Sequence, residues 1–184
     1  MLWHPRIGII QHLIQKDFQS PSISVVIANL NRRNLLEACL RSLELQKGVS
    51  FEAVVVDNAS TDGSAAWVEQ YSAAAPYPVT LIRNTENRGF CAANNQGIAK
   101  ARGPFVALLN NDAEAEPGWL EQLMLAFTRG PEIGMAASKI LVWEDPGQID
   151  KVGHLIWLDG QNRGRGSGEM DEGQYDAEEE VLWP

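Results

Sequence analysis

Four short apolar runs constrain this chain more than anything else in it: residues 23–28 (ISVVIA), 51–56 (FEAVVV), 79–83 (VTLIR) and 105–109 (FVALL). Each is rich in β-branched or bulky residues, and each gives way to a cluster of Asn, Asp or Arg. Stretches with helical spacing separate them. Leu36, Leu40 and Leu43 share one face, opened by Asn34 and Glu37 as a capping box and stopped at Gly48. Residues 60–64 supply turn and cap residues for a helix to about Tyr71, and a helix over 90–101 carries the small face Ala93, Gly97, Ile98 and Ala101. A further helix starts with Pro117 at its first position, bears Leu120, Leu123 and Phe127, and ends at Gly130-Pro131; residues 133–141 read as a fifth strand.

Strands alternating with helices every 25–30 residues or so require crossover connections, hence an α/β fold with a mainly parallel sheet covered on both faces. In such sheets ligands bind beyond the carboxyl ends of the strands. The residues there are Asn29, Asn31, Arg32 and Arg33 after the first strand and 57–62 (DNASTD) after the second. Residues 83–89 (RNTENRG) follow the third and Asn110-Asn111-Asp112 the fourth. A parallel sheet brings all four groups to one rim.

Composition narrows the classes. With 184 residues, 45% of them hydrophobic, the chain has material for one sizeable core. Its 15 Lys and Arg against 24 Asp and Glu leave no general basic field for a nucleic-acid backbone. The acid is concentrated in residues 159–184, where eight carboxylates face only Arg163 and Arg165 among five glycines, a composition that reads as a flexible, solvated loop. Cys39 and Cys91 lie in apolar or small-residue surroundings and read as reduced core thiols. No apolar run approaches the ~20 residues of a bilayer span, and residues 1–21 lack a signal-peptide pattern, so the expected setting is cytoplasmic. Residues 1–21 read as an extension, with a short helix around Ile7, Ile9, Ile10, Leu13 and Ile14.

The rim chemistry suits an anionic ligand held through a cation. A carboxylate at a strand end, flanked by neutral amides, can bind a divalent ion whose other ligands are diphosphate oxygens. No phosphate-loop fingerprint is present, and no G-x-G-x-x-G follows the first strand, which weighs against a nucleoside-triphosphate hydrolase and a dinucleotide oxidoreductase.

Residues 23–31 (ISVVIANLN), 54–64 (VVVDNASTDGS), 84–97 (NTENRGFCAANNQG) and 105–120 (FVALLNNDAEAEPGWL) together resemble family 2 glycosyltransferases of the GT-A fold, a Rossmann-like three-layer α/β/α sandwich, and especially the rhamnosyltransferase-like branch. The resemblance covers residues 22–184 and implies a GT-A nucleotide-sugar-binding domain over 22–158, with 159–184 opening the acceptor side. It implies that Asp57 contacts the base of a UDP- or dTDP-sugar, that Ala28 and Asn29 line the base and ribose pocket, and that Gly89 lets the backbone approach the nucleotide. Asn58, Asn94 or Asn95, and Asn111 would complete the donor site, with Asn110 near the ribose. Asn110-Asn111-Asp112 stands where the family has D-x-D, so Asp112 is the implied Mg or Mn ligand, with an amide in place of the first carboxylate.

The implied partners are the nucleotide-sugar donor and a saccharide or lipid-linked acceptor, with peripheral membrane association compatible with the latter. The implied chemistry is inverting sugar transfer in polysaccharide biosynthesis. In the family the general base lies in a segment after one similar to residues 181–184 (VLWP), so the chain reads as ending before it and the base is unassigned; His154 and Asp159 are the only substitutes, each better explained as structural or solvated. Trp143, Trp157 and Trp183 could stack on an acceptor sugar, although core or interface roles suit such residues as well. A noncatalytic nucleotide-sugar-binding or scaffold module is the competing reading.

Overall fold

The fold is described for residues 20–179 of a computed structural model; the expected N-terminal helix and residues 181–184 lie outside them. The chain divides into two compact units, 1–121 and 122–184.

The first unit is built on a four-stranded, wholly parallel sheet of order β3-β2-β1-β4. Its strands are β1 (Ile23–Asn29), β2 (Phe51–Asp57), β3 (Val79–Arg83) and β4 (Phe105–Leu108), close to the four apolar runs of the sequence. The two central strands hold the core: Val25, Val26, Ile27 and Ala53 through Val56 are all fully buried. Continuous burial on both faces is the condition under which a parallel strand needs an unbroken apolar run. On the outer strand β4 the pattern alternates, with Ala107 buried and Val106 and Leu108 exposed.

Helices α1 (Arg33–Leu43), α2 (Ser64–Ser72) and α3 (Phe90–Lys100) make the crossovers. Helix α1 buries Leu36, Cys39, Leu40 and Leu43 as its spacing requires. Its start differs from expectation. Arg32 occupies the cap position without a side-chain cap, Asn34 lies inside the first turn, and Glu37 pairs with Arg41 one turn on. The orphan N–H of Arg33 is met from a distant loop instead, by Asp62 Oδ2 at 2.9 Å. A long-range carboxylate thus does what the local capping box was expected to do.

Helix α3 packs on β1 and β2 through Ala93 and Gly97. A Cβ on Gly97 would fall deep inside the contact distance of Val26 Cγ1 and 3.3 Å from Val56 Cγ2, so only glycine permits this approach. Ile98, expected on the same face, is exposed, because the contact with the sheet is confined to the narrower stripe of smaller residues.

The amino end of the sheet is tied by one buried carboxylate. Glu52 is 1% exposed and accepts from Ser24 Oγ (2.8 Å), Arg102 N (2.9 Å) and Arg102 Nε (2.7 Å). Burial pushes its carboxyl group upward, but the hydrogen bonds from Arg102 and Ser24 and the guanidinium charge outweigh that and leave it below the ordinary range.

The chain crosses to the second unit within helix α4 (Trp119–Ala126). Pro117 precedes this helix rather than opening it, because Gly118 interrupts with φ of +87°. The expected fifth strand shrinks to β5 (Ile140–Leu141), which pairs antiparallel with β6 (Ile149–Lys151) and takes no part in the parallel sheet. Residues 133–139 contain one β-branched side chain among Gly, Ala and Ser, which gives a ladder little to pack.

Strands β7 (His154–Ile156) and β8 (Asn162–Gly164) form a hairpin. The acidic stretch, read from its composition as a solvated loop, carries several ion pairs. Lys139 Nζ bridges Asp171 and Asp176 at 2.7 Å each, and Arg165 pairs with Glu179 while lying over the Tyr175 ring. Lys139, from outside the stretch, thereby opposes carboxylates that the stretch's own two arginines leave unmatched. Among the described residues no helix is long and apolar enough to cross a membrane.

Candidate functional site

The parallel register sets Asn29 beside Asp57 and Asp57 beside Arg83, at the carboxyl ends of their strands. Cross-strand partners project to the same face, so the Asn29 and Asp57 side chains must meet. Asn29 Nδ2 donates to Asp57 Oδ1 at 3.2 Å and lies 3.2 Å from Ser60 Oγ. The second Asp57 oxygen accepts from the Ser60 backbone N–H at 3.0 Å, closing a tight turn in which Ala59 adopts φ of +69°. Asn31 (φ +52°) is held there too, donating its N–H to Ser60 Oγ and accepting from Thr61 N at 2.8 Å. Two non-glycine residues in left-handed conformations within adjoining loops are a local store of strain at this rim.

The loop after β4 joins the same cluster through Asn111, whose Nδ2 donates to Asn29 Oδ1 at 2.7 Å. Asn110 and Asp112 on either side are exposed, and the Asn110 carbonyl accepts from Cys39 Sγ. Burial, with the Glu114 and Asp112 charges adding to it, pushes the Cys39 thiol up to about 12. Cys39 is therefore a core group. Cys91, expected to be one as well, is exposed on α3, since the neighbouring positions Ala93, Asn94 and Gly97 take the buried face.

The loop after β3 is anchored by a network of amides. Asn58 Oδ1 accepts from Asn84 Nδ2 and from the Arg88 N–H, both at 3.0 Å, while its Nδ2 donates to Asn87 Oδ1 at 2.7 Å and reaches the Gly89 carbonyl at 3.4 Å. Asn84 and Gln96 exchange two bonds of 2.8 and 3.0 Å. Gly89, with φ of +81° and nothing within 4 Å of the place a Cβ would occupy, gives the chain its sharp entry into α3 and stands open to solvent.

The expected site residues thus separate into two layers. Asn29, Asp57 and Asn58 are 1%, 3% and 4% exposed, with side-chain atoms committed to neighbouring loops. Asn94 is buried too and donates back to the Phe90 carbonyl. The accessible groups are Gly89, Asn95, Asn110 and Asp112, with Ala28 and Asn111 half-buried. An open cleft of about 410 Å³ beside the first loop is lined by Asn31, Arg32, Arg33, Asn34, Leu35 and Asp62. His154 and Asp159 belong to the second unit, where Asp159 accepts from the Gln161 N–H and faces Arg163.

Ser60, Asn84 and Gln96 join the rim network without a site role expected of them from the sequence. The turn Asp57-Asn58-Ala59-Ser60 carries a local signal for Ser60; the Asn84–Gln96 pair has none, because a loop and a helix supply its two halves.

Among the described residues no group of three or more His, Cys, Asp or Glu is placed to hold a metal by itself. The donor set does fit a cation shared with a ligand. Asp112 offers one exposed carboxylate beside neutral amides, leaving most of a hard cation's coordination to phosphate oxygens and water.

A parallel α/β sheet with flanking helices and a polar rim at its carboxyl edge is the GT-A arrangement of sugar-nucleotide enzymes, and solved structures share it. The Staphylococcus aureus TarS fragment 1–349 in complex with UDP-GlcNAc superposes over 76% of this chain and 41% of its own, with a TM-score of 0.56 and 20% identity, a likeness of fold. The chain belongs to glycosyl transferase family 2, whose profile it matches over residues 24–171. Its curated relatives include the putative glycosyltransferase EpsH of Bacillus subtilis, 32% identical over 58% of this chain and 30% of that protein. The succinoglycan biosynthesis protein ExoO of Rhizobium meliloti is 37% identical over 56% of this chain and 29% of that protein. The chain therefore matches less than a third of the length of these two relatives.

Proposed function

We propose that this chain holds the nucleoside-diphosphate end of an activated sugar at the carboxyl rim of β1, β2 and β4, as the donor-binding part of an inverting glycosyltransferase. The observation that carries the reading is the Asn29 bridge, which joins Asp57 at one end of the rim to Asn111, the neighbour of Asp112, at the other. A base-recognition loop and a cation-binding loop are thereby held within one side chain of each other. The TarS complex with UDP-GlcNAc and the family membership support a nucleotide-sugar donor.

The donor is a UDP- or dTDP-sugar, rhamnose being one candidate for the sugar, and the acceptor is a saccharide or lipid-linked hydroxyl in polysaccharide synthesis on the cytoplasmic side. The acceptor oxygen attacks the anomeric carbon, the bond from that carbon to the diphosphate oxygen breaks, and the nucleoside diphosphate departs with the electron pair. The acceptor proton passes to a general base. A divalent cation, Mg or Mn, supplies neutralisation of the departing charge when bound. Asp112 holds it. The loop of Asp57 orients the nucleotide, and Gly89 leaves room for its backbone approach.

Calorimetry with UDP, dTDP and GDP, each with Mn(II) or with EDTA, tests this. Expected are binding of the pyrimidine diphosphates strengthened by Mn(II), loss of that gain in Asp112→Ala, and weaker binding in Asp57→Ala. Absence of diphosphate binding by the wild-type chain refutes the donor site.

A further inference from the structure

We infer that Asn29 is a positioning residue that couples the two ends of the rim: it sets the loop bearing Asp112 by reference to Asp57. The inference rests on the donor-site reading above and assigns Asn29 a different part from lining the nucleotide pocket. At 1% exposed its side chain has no surface to offer a ligand. Its two polar atoms face different loops: Nδ2 is directed at Asp57 and Ser60 of the β2 loop, and Oδ1 accepts from Asn111 of the β4 loop. The backbone repeats the bond to the β2 loop, since the Asn29 carbonyl accepts the Asn58 N–H at 2.8 Å. The β4 loop has its side-chain tether to β1 in the Asn111 amide.

An amide is the side chain that this position requires. It must donate to a carboxylate on one side and accept from an amide N–H on the other, and Asn does both at once within a short reach. A carboxylate at 29 would keep the acceptor but face Asp57 with like charge; an alanine would release both loops. Movement of the β4 loop is resisted by the Leu109 N–H bond to the Val26 carbonyl, by the Ala113 N–H and Cys39 Sγ on the Asn110 carbonyl, and by Asn111, and of these the Asn111 bond is the one that refers the loop to Asp57. Losing the tether moves the cation-binding carboxylate relative to the diphosphate, and displacements on the order of 1 Å in such constellations cost up to ~100-fold.

Two readouts test the coupling. The first is the factor by which Mn(II) strengthens UDP or dTDP binding. In Asn29→Ala and in Asn111→Ala this factor should fall about tenfold or more, and the double variant should be no worse than Asn29→Ala. The second needs no ligand: amide hydrogen exchange of residues 110–113 should accelerate in both single variants while the centre of β1 stays protected. Asn29→Asp, which keeps the acceptor for Asn111, should restore slow exchange at 110–113 yet weaken metal-free nucleotide binding.

An undiminished Mn(II) factor in Asn111→Ala, or unchanged exchange at 110–113 in both variants, overturns the coupling and leaves the donor site standing. A wild-type chain that binds no diphosphate overturns the donor site, and with it the functional meaning of the tether. Should Asn29→Ala fail to fold, Asn111→Ala and Asn29→Asp decide alone, because Asn111 is half-buried and Asp is nearly isosteric with Asn.

Discussion

Substituting Gly97 by alanine should destabilise the chain even though alanine is the better helix former. Gly97 sits mid-helix in α3, where the intrinsic preference favours Ala over Gly by about 1 kcal/mol. Against that, the new methyl would collide with Val26 Cγ1 and stand 3.3 Å from Val56 Cγ2. Both valines are fully buried in the central strands, and β-branched side chains have few rotamers into which to retreat. Overpacking a filled core costs roughly 1–3 kcal/mol, and a collision this deep with two immobile valines belongs to the upper part of that range, about 2–3 kcal/mol, so the net loss should be about 1–2 kcal/mol, or on the order of 2–8 °C in Tm for a chain of this size.

Urea unfolding followed by tryptophan fluorescence measures the loss. Combining Gly97→Ala with Val26→Ala removes the struck Cγ1, so the double variant should lose less than the sum of the two single losses. Gly134→Ala, where nothing lies within 4 Å, is the control and should be neutral or slightly stabilising. Equal or greater stability for Gly97→Ala, or strict additivity with Val26→Ala, would refute the close-approach argument.

Glu52→Gln should cost about 1–3 kcal/mol at neutral pH, since an amide N–H would then confront the Arg102 donors. Its folded carboxyl is held below the ordinary value, so the wild-type advantage should be complete above ~pH 4.5 and vanish as pH falls through the lower folded value; denaturation at pH 3 and 7 checks this. Asp62→Ala should lose about 1–2 kcal/mol through the released Arg33 and Ser64 N–H groups, whereas Asn34→Ala should change stability by less than ~0.5 kcal/mol; thermal melts of the pair distinguish the two caps. A thiol reagent at pH 8 should modify Cys91 quickly and leave Cys39 unreacted until the chain unfolds, as their exposure and the raised Cys39 thiol require; mass spectrometry of the labelled chain reads this directly.

Much of the first unit was legible because its signals are local. Residues 79–83 appear as β3 with unchanged bounds, and the runs at 23–28 and 51–56 each extend by a single residue, Asn29 and Asp57. The extension matters: the two residues read as loop are the last rungs of the ladder, and that is why their side chains meet. Less was legible where partners are remote. The capping box at Asn34 and Glu37 lost to Asp62, the strand expected over 133–141 kept two residues, and the acidic stretch found a cation in Lys139, outside it in the sequence.

Pattern along the chain determined that there would be a parallel sheet and that its amides and carboxylates would gather at one edge, since periodicity and turn chemistry act over a few residues. Tertiary structure alone decided which of those polar groups are buried struts and which stand open at the rim. Asn29, Asn58 and Asn95 are the same residue type in similarly polar settings, yet two are buried and the third is exposed. That difference arises from strand register and from the meeting of loops some 30 to 80 positions apart, as in the bonds from Asn29 to Asp57 and to Asn111, and no local pattern encodes a pairing over such separations.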